Sequence, residues 1–238
     1  MDEIKYSTIN FGPLLLLTSI DNALRQEMLD KGLKNDIDWT TKLAGQIEDE
    51  KSYSAENIDY FGRRLVPYFE KYFTALTERW HRNVKIRDYV YYLDSLWINV
   101  QKENEYNPVH SHSGDISFVI YLDISNEIYE EKNKTTSMEP GAIGFIDNFD
   151  QNYFGDLNAD IENIRRYLIP LRGYEHIPKN GEMFIFPSYL THHVQSFKTP
   201  GCRRVSVSGN ISIKERENKD EIVKVMRQGG YEWQDEVS

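Results

Sequence analysis

The segment Leu96–Asp123, LWINVQKENEYNPVHSHSGDISFVIYLD, contains two histidines, His110 and His112, one residue apart at the edge of an apolar run. In an extended strand, side chains two positions apart point to the same face of the sheet. Both imidazoles can therefore approach one point, which two adjacent residues could not do. We predict that this segment presents a pair of histidines to one common site.

A second histidine pair, His192 and His193, follows later in the chain within FIFPSYLTHHVQSF. Adjacent residues of a strand face opposite ways, so only one of this pair can join the first pair, and we expect it to be His192. Imidazole suits Fe(II), and three protein ligands leave positions open for O₂ and a chelating substrate. The two pairs together predict a mononuclear iron site made by His110, His112 and His192.

The third ligand of such a site has two candidates. The usual third ligand is a carboxylate in an H-x-D/E pattern, but here His112 occupies the carboxylate position. Asp115 is the nearest alternative; it would point to the opposite face of a straight strand, although Gly114 allows a bend. We expect His112 to complete the site, because it shares a strand face with His110.

Composition limits the classes of protein to which the chain can belong. It has 238 residues, 39% of them hydrophobic, and a net charge of −10, which argues against nucleic acid as a partner because phosphates bind basic surfaces. The single cysteine, Cys202, excludes an internal disulfide and favours a reducing compartment. With no signal-peptide pattern and no long apolar run, we expect a cytoplasmic protein that acts on a small molecule, peptide or protein without membrane contact. The oligomeric state stays open.

The order of patterns along the chain predicts a jelly roll. We predict that residues 1–84 are mostly helical, because the apolar residues of Phe61–Trp80 recur at three- and four-residue steps. Residues 85–213 contain about eight short strands with turn signals between them, and residues 214–238 form a charged tail. We therefore predict a single, mainly β domain with a double-stranded β-helix core, which the N-terminal helices cover on one face.

The last predicted strand, Arg203–Ile213, has two faces of different polarity. Arg204 and Ser206 share one face, whereas Val205 and Val207 share the other. This alternation is accounted for if the apolar face packs under helices and the polar face lines a cavity. Arg204 would then offer a guanidinium for a bidentate, charge-assisted pair with a carboxylate.

The chain contains the motifs LWINVQ, NPVHSHSG, SFVIYL, GEMFIFPSYLTHHV and RRVSVSGN, which span roughly residues 95–212. Together they resemble the Fe(II)/2-oxoglutarate-dependent dioxygenases, and most of all the small prolyl-4-hydroxylase-like oxygenases of bacteria and tailed phages. The resemblance implies a jelly-roll enzyme whose cofactors are Fe(II) and 2-oxoglutarate. It also implies hydroxylation of an unactivated C–H bond in a prolyl or other amino-acid residue.

The resemblance implies roles for individual residues as well. The family's FPSxLxH element corresponds to Phe186–His192, with His192 as the metal ligand, and its R-x-S element to Arg204 and Ser206 as binders of 2-oxoglutarate. The tyrosine before the leucine of the family's YL strand corresponds to Tyr121, implying a further 2-oxoglutarate contact; from the residues alone Tyr121 could equally be a core aromatic. His112 stands where most of the superfamily has aspartate.

Other interpretations stay open at this stage. The irregular segment 148–166, with Tyr153 and Phe154, could close over the site as a lid, but an ordinary surface insertion explains it better. A cupin-like oxygenase with three histidines and no 2-oxoglutarate would use Arg204 and Ser206 for a substrate carboxylate. A non-enzymatic jelly-roll binding protein is the third alternative. The substrate itself cannot be read from the sequence.

Overall fold

The computed structural model describes residues 4–10, 12–80, 89–131, 139–147, 172–215 and 230–231. The helices in these ranges are α1 Asn22–Leu33, α2 Ala55–Trp80 and α3 Asn126–Glu130, with a 3₁₀ turn at Thr40–Lys42. The strands are β1 Tyr6–Asn10, β2 Leu14–Ser19, β3 Ile37–Asp38, β4 Glu50–Ser52, β5 Tyr89–Lys102, β6 Asn107–His110, β7 Ile116–Ile124, β8 Ile143–Asp147, β9 Arg172–His176, β10 Glu182–Pro187, β11 Thr191–Val194, β12 Arg203–Glu215 and β13 Gly230–Tyr231.

The strands form two antiparallel sheets that enclose a cavity. The larger sheet has the order β1-β2-β10-β7-β12-β5-β4-β3, with β13 pairing to β5, and the smaller has the order β6-β11-β8-β9. In the smaller sheet β11 pairs with β6 and β8, which both come much earlier in the chain, and such crossovers are typical of a jelly roll. The predicted double-stranded β-helix core is confirmed.

Helices α1 and α2 cover one face of the larger sheet. Asp21 caps α1 by accepting a hydrogen bond of 2.8 Å from the backbone N–H of Leu24. Helix α2 buries an aromatic stripe, in which Phe69 packs against Phe118 of β7 and Tyr91 of β5 with ring centroids 5.3 and 5.5 Å apart. The stripe is core, and the helical cover expected from the sequence is present.

Strand β12 separates the helix-covered core from the cavity. Val205 and Val207 belong to the apolar cluster under the helices, whereas Arg204, Ser206 and Ser208 line the cavity between the sheets. A strand alternates its side chains between the two faces of a sheet, so one segment serves both purposes. The observed alternation is the one that the sequence predicted.

The N-terminal region contains more β-structure than the sequence indicated. Although the sequence predicted a mostly helical region, it contributes β1, β2, β3 and β4 to the larger sheet. Strands of two or three residues, such as β3 and β4, are too short to show periodicity in the sequence. Their pairing depends on the partner strand. The predicted insertion 148–166 and the tail beyond residue 215, except for β13, lie outside the described residues. None of the described helices is long and apolar enough to cross a membrane.

Candidate active site

Three histidines lie close together beside the smaller sheet. One comes from β6, one from β11 and one from the loop that follows β6. His110 is the last residue of β6, and His192 on β11 is its direct partner in the strand pairing. His112 lies beyond the end of β6, where its backbone N–H donates to the carbonyl of Ser188 at 2.9 Å. The expectation that one strand carries both His110 and His112 is therefore wrong, because the strand ends at His110. The loop nevertheless turns His112 to the same point.

The three imidazoles lie within metal-binding distance of one another. Their potential ligand nitrogens are all within 4.8 Å of one another, and the Nε2 atoms of His112 and His192 are 3.1 Å apart. Two nitrogens bound to one metal ion at about 2.1 Å and at a right angle lie about 3 Å apart. The spacing therefore fits adjacent ligands of a single ion.

Hydrogen bonds and burial prepare these rings to act as ligands. The Nδ1 atoms of His110 and His192 lie 2.6 and 2.8 Å from the backbone carbonyls of Pro108 and Leu190, so each Nδ1 carries the proton and each Nε2 keeps a lone pair. Burial lowers the pKa of His110, lowers that of His112 to about 4 and lowers that of His192 well below its ordinary value, with the neighbouring histidines adding to the last two. Neutral imidazole is the form that binds metals.

Asp115 does not join the histidine cluster. Gly114 adopts a left-handed conformation with φ of 93°, which turns the chain away from the cavity before β7. The Asp115 carboxylate accepts a hydrogen bond of 2.7 Å from the backbone N–H of Ile213, and its own backbone N–H donates to Ile211. Asp115 thus joins β7 to β12, and no carboxylate belongs to the cluster among the residues that the structure describes.

His193 faces away from the cluster. Its ring lies directly over Gly144 of β8, where an added Cβ would come within 2.2 Å of the His193 ring. Burial lowers its pKa, with the His110 charge adding to the effect. The opposite orientations of His192 and His193 follow from the alternation along β11.

Arg204 is a buried cation with unused donors. Its side chain is 2% exposed, and burial lowers its pKa. Its Nη1 donates to Oε1 of Gln101 at 3.2 Å, while Nε and Nη2 have no partner within the described ranges. A buried charge without a counter-charge is costly. We therefore expect an anion to enter the cavity and pair with the Arg204 guanidinium.

Gln101 is a contact that the sequence analysis missed. Its amide nitrogen donates to the carbonyls of Glu105 and Gln195 at 2.6 and 3.0 Å. Because the two carbonyls can only accept, they set the amide orientation and direct Oε1 toward Arg204. No motif marks such a residue, since its role depends on two backbone carbonyls that are distant from each other in sequence.

Tyr121 and Ser206 lie beside Arg204. The guanidinium carbon of Arg204 is 4.8 Å from the centroid of the Tyr121 ring, and the Tyr121 hydroxyl is buried with no hydrogen-bond partner in the described structure. Burial raises the pKa of Tyr121 to about 12, against the opposing charge of Arg204, so the phenol keeps its proton and can donate. Ser206 is the strand partner of Tyr121 and is 2% exposed.

One cavity of about 420 Å³ connects these groups. His110, His112 and His192 line it together with Arg204 and Ser206, and the ring of Tyr121 contacts Arg204. The segment from Trp39 to Glu50 forms another wall, which the sequence analysis did not assign to the site. The segment contains a 3₁₀ turn and the first residue of β4, and its weak periodicity gives no sequence signal for such a role.

A sequence match to a known protein family agrees with this chemistry. Residues 95–210 match the family described as putative 2OG-Fe(II) oxygenase, and no curated protein matches the sequence. Among solved structures, the chain is similar to a 2OG-Fe(II) oxygenase family oxidoreductase from Burkholderia pseudomallei, with 12% identity and a TM-score of 0.33 over 51% of this chain and 45% of that one. The chain thus spans less than half the length of the Burkholderia protein.

Two further structures are similar over most of their length. A prolyl-4-hydroxylase from Pseudomonas putida has 12% identity and a TM-score of 0.44, over 82% of this chain and 90% of that one. The viral collagen prolyl hydroxylase of Paramecium bursaria Chlorella virus-1, in complex with 2OG, has 11% identity and a TM-score of 0.43, over 87% and 94%. All three TM-scores are below 0.5. The region that matches the putative 2OG-Fe(II) oxygenase family, residues 95–210, contains both histidine pairs, Arg204 and Ser206.

Proposed function

We propose that this protein, whose residues 95–210 match the 2OG-Fe(II) oxygenase family, is a dioxygenase that hydroxylates an unactivated C–H bond of a prolyl or other amino-acid residue. His110, His112 and His192 hold Fe(II), and Arg204, Ser206 and Tyr121 hold 2-oxoglutarate. The observation that carries this proposal is the buried Arg204, whose two unpaired donors share one cavity with three neutral histidines.

The residues present fit both cofactors. Three neutral imidazoles with converging lone pairs suit a divalent first-row metal ion. The unpartnered Nε and Nη2 of Arg204 and the unpartnered hydroxyl of Tyr121 provide three donors to a carboxylate. With no carboxylate among the three histidines, the metal site is one charge more positive than the usual two-histidine, one-carboxylate site. A dianion such as 2-oxoglutarate offsets this charge.

The protein's part in the reaction is binding, orientation and exclusion of water. Bound Fe(II), together with 2-oxoglutarate and O₂, supplies the oxidising chemistry. Gln101 orients Arg204 so that the guanidinium presents its free edge to the far carboxylate of 2-oxoglutarate. The backbone contacts of His110 and His192 hold the imidazoles in one tautomer and one orientation. Phe186, whose ring centroid is 4.9 Å from that of His192, shields one side of the cluster from water.

The proposal is tested by 2-oxoglutarate turnover. Purified protein with Fe(II) and ascorbate is supplied with 2-oxoglutarate and a panel of prolyl peptides, other peptides and free amino acids, and succinate is measured. We expect a substrate from this panel to stimulate succinate release. Succinate release that is absent with and without every substrate, in protein that binds Fe(II), would contradict the use of 2-oxoglutarate.

A second candidate function is favoured by the absence of a carboxylate from the described histidine cluster. A three-histidine oxygenase that does not use 2-oxoglutarate would have the same metal site, and Arg204 would bind the carboxylate of its substrate. The two functions differ in their products, because only the first forms succinate in amounts equal to the oxidised substrate. Oxygen uptake without succinate would favour the second.

The distal ligand can be tested with two adjacent residues. We expect His192→Ala to lose Fe(II), because it removes one of three converging nitrogens. His193→Ala should keep most of the Fe(II), because its ring faces Gly144. Iron content after anaerobic loading measures both variants, with His110→Ala as a second positive case. Loss of iron in His193→Ala with retention in His192→Ala would reverse the assignment.

A further inference from the structure

Glu50 is a buried carboxylate that the proposed iron and 2-oxoglutarate sites do not use. It is the first residue of β4 and is 1% exposed, yet it lines the same cavity as the histidines and Arg204. Neither of its oxygens has a hydrogen-bond partner among the residues that the structure describes. An unpartnered buried carboxylate costs several kcal/mol, so its place at a cavity wall points to a partner that enters from solution.

The strand pairing places Glu50 in a row of polar side chains across the larger sheet. Glu50 on β4 is opposite Asn99 on β5, and Asn99 is opposite Ser206 on β12. Directly opposite residues of antiparallel strands point to the same face. Asn99 donates through its amide nitrogen to Ser208 at 3.4 Å, and its side-chain oxygen has no partner in the described ranges. Glu50 is therefore beside a second unused acceptor.

A third acceptor approaches from the other side of the cavity. A Cβ added to Gly45 would lie 2.9 Å from Oε1 of Glu50 and 2.4 Å from Oδ1 of Asn107. Both side-chain oxygens therefore lie beside Gly45, at a place that only a residue without a side chain leaves open. Glu50, Asn99 and Asn107 together form what we call the acceptor subsite.

The charges around the acceptor subsite are negative. Burial, together with the negative charges of Glu105 and Asp38, raises the pKa of Glu50 to about 7. Lys42 also lines the cavity but is exposed. Within the described part of the chain, neither Lys42 nor Arg204 forms an ion pair with Glu50. A concave site with one sign of charge attracts a ligand of the opposite sign.

We propose that the acceptor subsite recognises the substrate by binding a protonated nitrogen, either an ammonium or a guanidinium group. A cationic nitrogen has only donors to offer and so satisfies three acceptors at once, while it neutralises Glu50. This inference rests on the proposed function and names the class of its substrate, a basic molecule or the basic residue of a peptide. Arg204 then binds the anionic co-substrate, and Glu50 binds the cationic substrate in another part of the same cavity.

The test compares cationic probes with matched uncharged ones. The full-length protein is loaded with Mn(II), which does not support turnover, and with 2-oxoglutarate, and binding is measured by calorimetry. One arm uses free L-proline against N-acetyl-L-proline, which has no protonated nitrogen. The other uses the blocked peptides acetyl-Gly-X-Gly-amide with X as Lys, Arg or Gln. The first arm reports a free amine as ligand and the second a basic side chain of a peptide.

Three variants identify the residues responsible. We expect Glu50→Gln to weaken binding of the cationic probe by about 10- to 100-fold, the range for a hydrogen bond to a charged group, while 2-oxoglutarate binding stays unchanged. Gly45→Ala should also weaken binding of this probe, because its methyl group enters the acceptor subsite without a change in charge. Glu48→Gln, in which the lost charge is 83% exposed, is the matched control and should bind as the wild type does.

The outcomes separate this inference from the proposed function. Normal 2-oxoglutarate binding combined with equal probe affinity in wild type and Glu50→Gln overturns the inference alone. The same conclusion follows if no cationic probe binds, or if uncharged probes bind as well as cationic ones. Failure to bind 2-oxoglutarate in the wild type instead overturns the proposed function, whether or not the cationic probes bind.

Discussion

Arg204 shows how one buried residue can indicate a ligand. Its charge is held in a cavity by a hydrogen bond to Gln101 and by the ring of Tyr121, and its Nε and Nη2 have no hydrogen-bond partner in the described structure. A folded protein does not gain stability from such a residue, so its position is explained by binding. The neighbouring Arg203 has the opposite environment, because it is exposed and pairs with Asp123 at 2.6 Å.

We expect Arg204→Ala to raise the concentration of 2-oxoglutarate needed for half-maximal turnover while iron stays bound. Loss of one partner of a buried, hydrogen-bonded charge pair costs about 2–5 kcal/mol, which corresponds to at least about 30-fold. The measurement is succinate formation over a range of 2-oxoglutarate concentrations, with iron content determined in parallel. Arg203→Ala is the control and should behave as the wild type, and an unchanged requirement in Arg204→Ala would rule out the proposed role.

The third metal ligand is a second question at the scale of single residues. We expect His112→Ala to lose Fe(II) and Asp115→Ala to keep it, because His112, unlike Asp115, has a potential ligand atom close to His192, with the two Nε2 atoms 3.1 Å apart. Iron content and succinate yield are read in both variants. Iron retained in His112→Ala and lost in Asp115→Ala would instead indicate a two-histidine, one-carboxylate site. His112→Asp tests whether position 112 accepts the usual carboxylate, in which case turnover persists.

At the scale of elements, the connection from β6 to β7 determines which side chains reach the metal site. Gly114 holds a left-handed conformation between His112 and Asp115, and a methyl group there would meet the carbonyl oxygen of Ile211 at 3.1 Å. Gly201 has a similar φ of 72°, but nothing lies within 4 Å of its added Cβ. Both glycines therefore hold a conformation that would strain any other residue, and they differ in crowding.

We expect Gly114→Ala to destabilise the protein more than Gly201→Ala does. Each alanine takes on a left-handed conformation that costs about 1–2 kcal/mol, and only the one at position 114 also crowds a backbone carbonyl. Urea unfolding of the two variants measures the difference. Gly114→Ala should also lower the iron content, since His112 is two residues away, whereas Gly201→Ala should not. Equal destabilisation would mean that the Ile211 carbonyl moves aside without cost.

At the scale of the whole molecule, stability and function conflict at Glu50. Its folded-state pKa of about 7 is above the ordinary value of 4.5, so folding takes up a proton between these two pH values. The neutral carboxyl is tolerated below pH 4.5, and the contribution of this group to stability is lost as the pH rises through 7. Above pH 7 the folded protein without ligand therefore contains a buried, unpaired negative charge.

We expect Glu50→Gln to stabilise the ligand-free protein more at pH 8 than at pH 5. The gain between these pH values should be on the order of 2 kcal/mol, from a shift of about 1.4 kcal/mol per pKa unit. Urea unfolding at the two pH values measures it, and Glu48→Gln should show no comparable change with pH. A Glu50→Gln variant that is less stable than the wild type at pH 8 would show that the carboxylate has a stabilising partner.

The sequence determined those features of this protein that depend on local spacing. Alternation along β12 separated Arg204 and Ser206 from Val205 and Val207, and adjacency on β11 required His192 and His193 to face apart. Such patterns are readable because side-chain direction in a strand follows from residue parity alone. The helical stripe of α2 and the many short strands predicted a helix-covered jelly roll for the same reason.

Tertiary structure alone decided what depends on partners that are distant in sequence. The end of β6 at His110 and the left-handed Gly114 determine that His112 reaches the histidine cluster and Asp115 does not. Gln101 contacts Arg204 because the carbonyls of Glu105 and Gln195 orient its amide. Glu50 lies on a three-residue strand whose register is determined by β5, so its burial and its place in the cavity leave no local signal. Pairing between strands, unlike alternation within one, is decided by the whole chain.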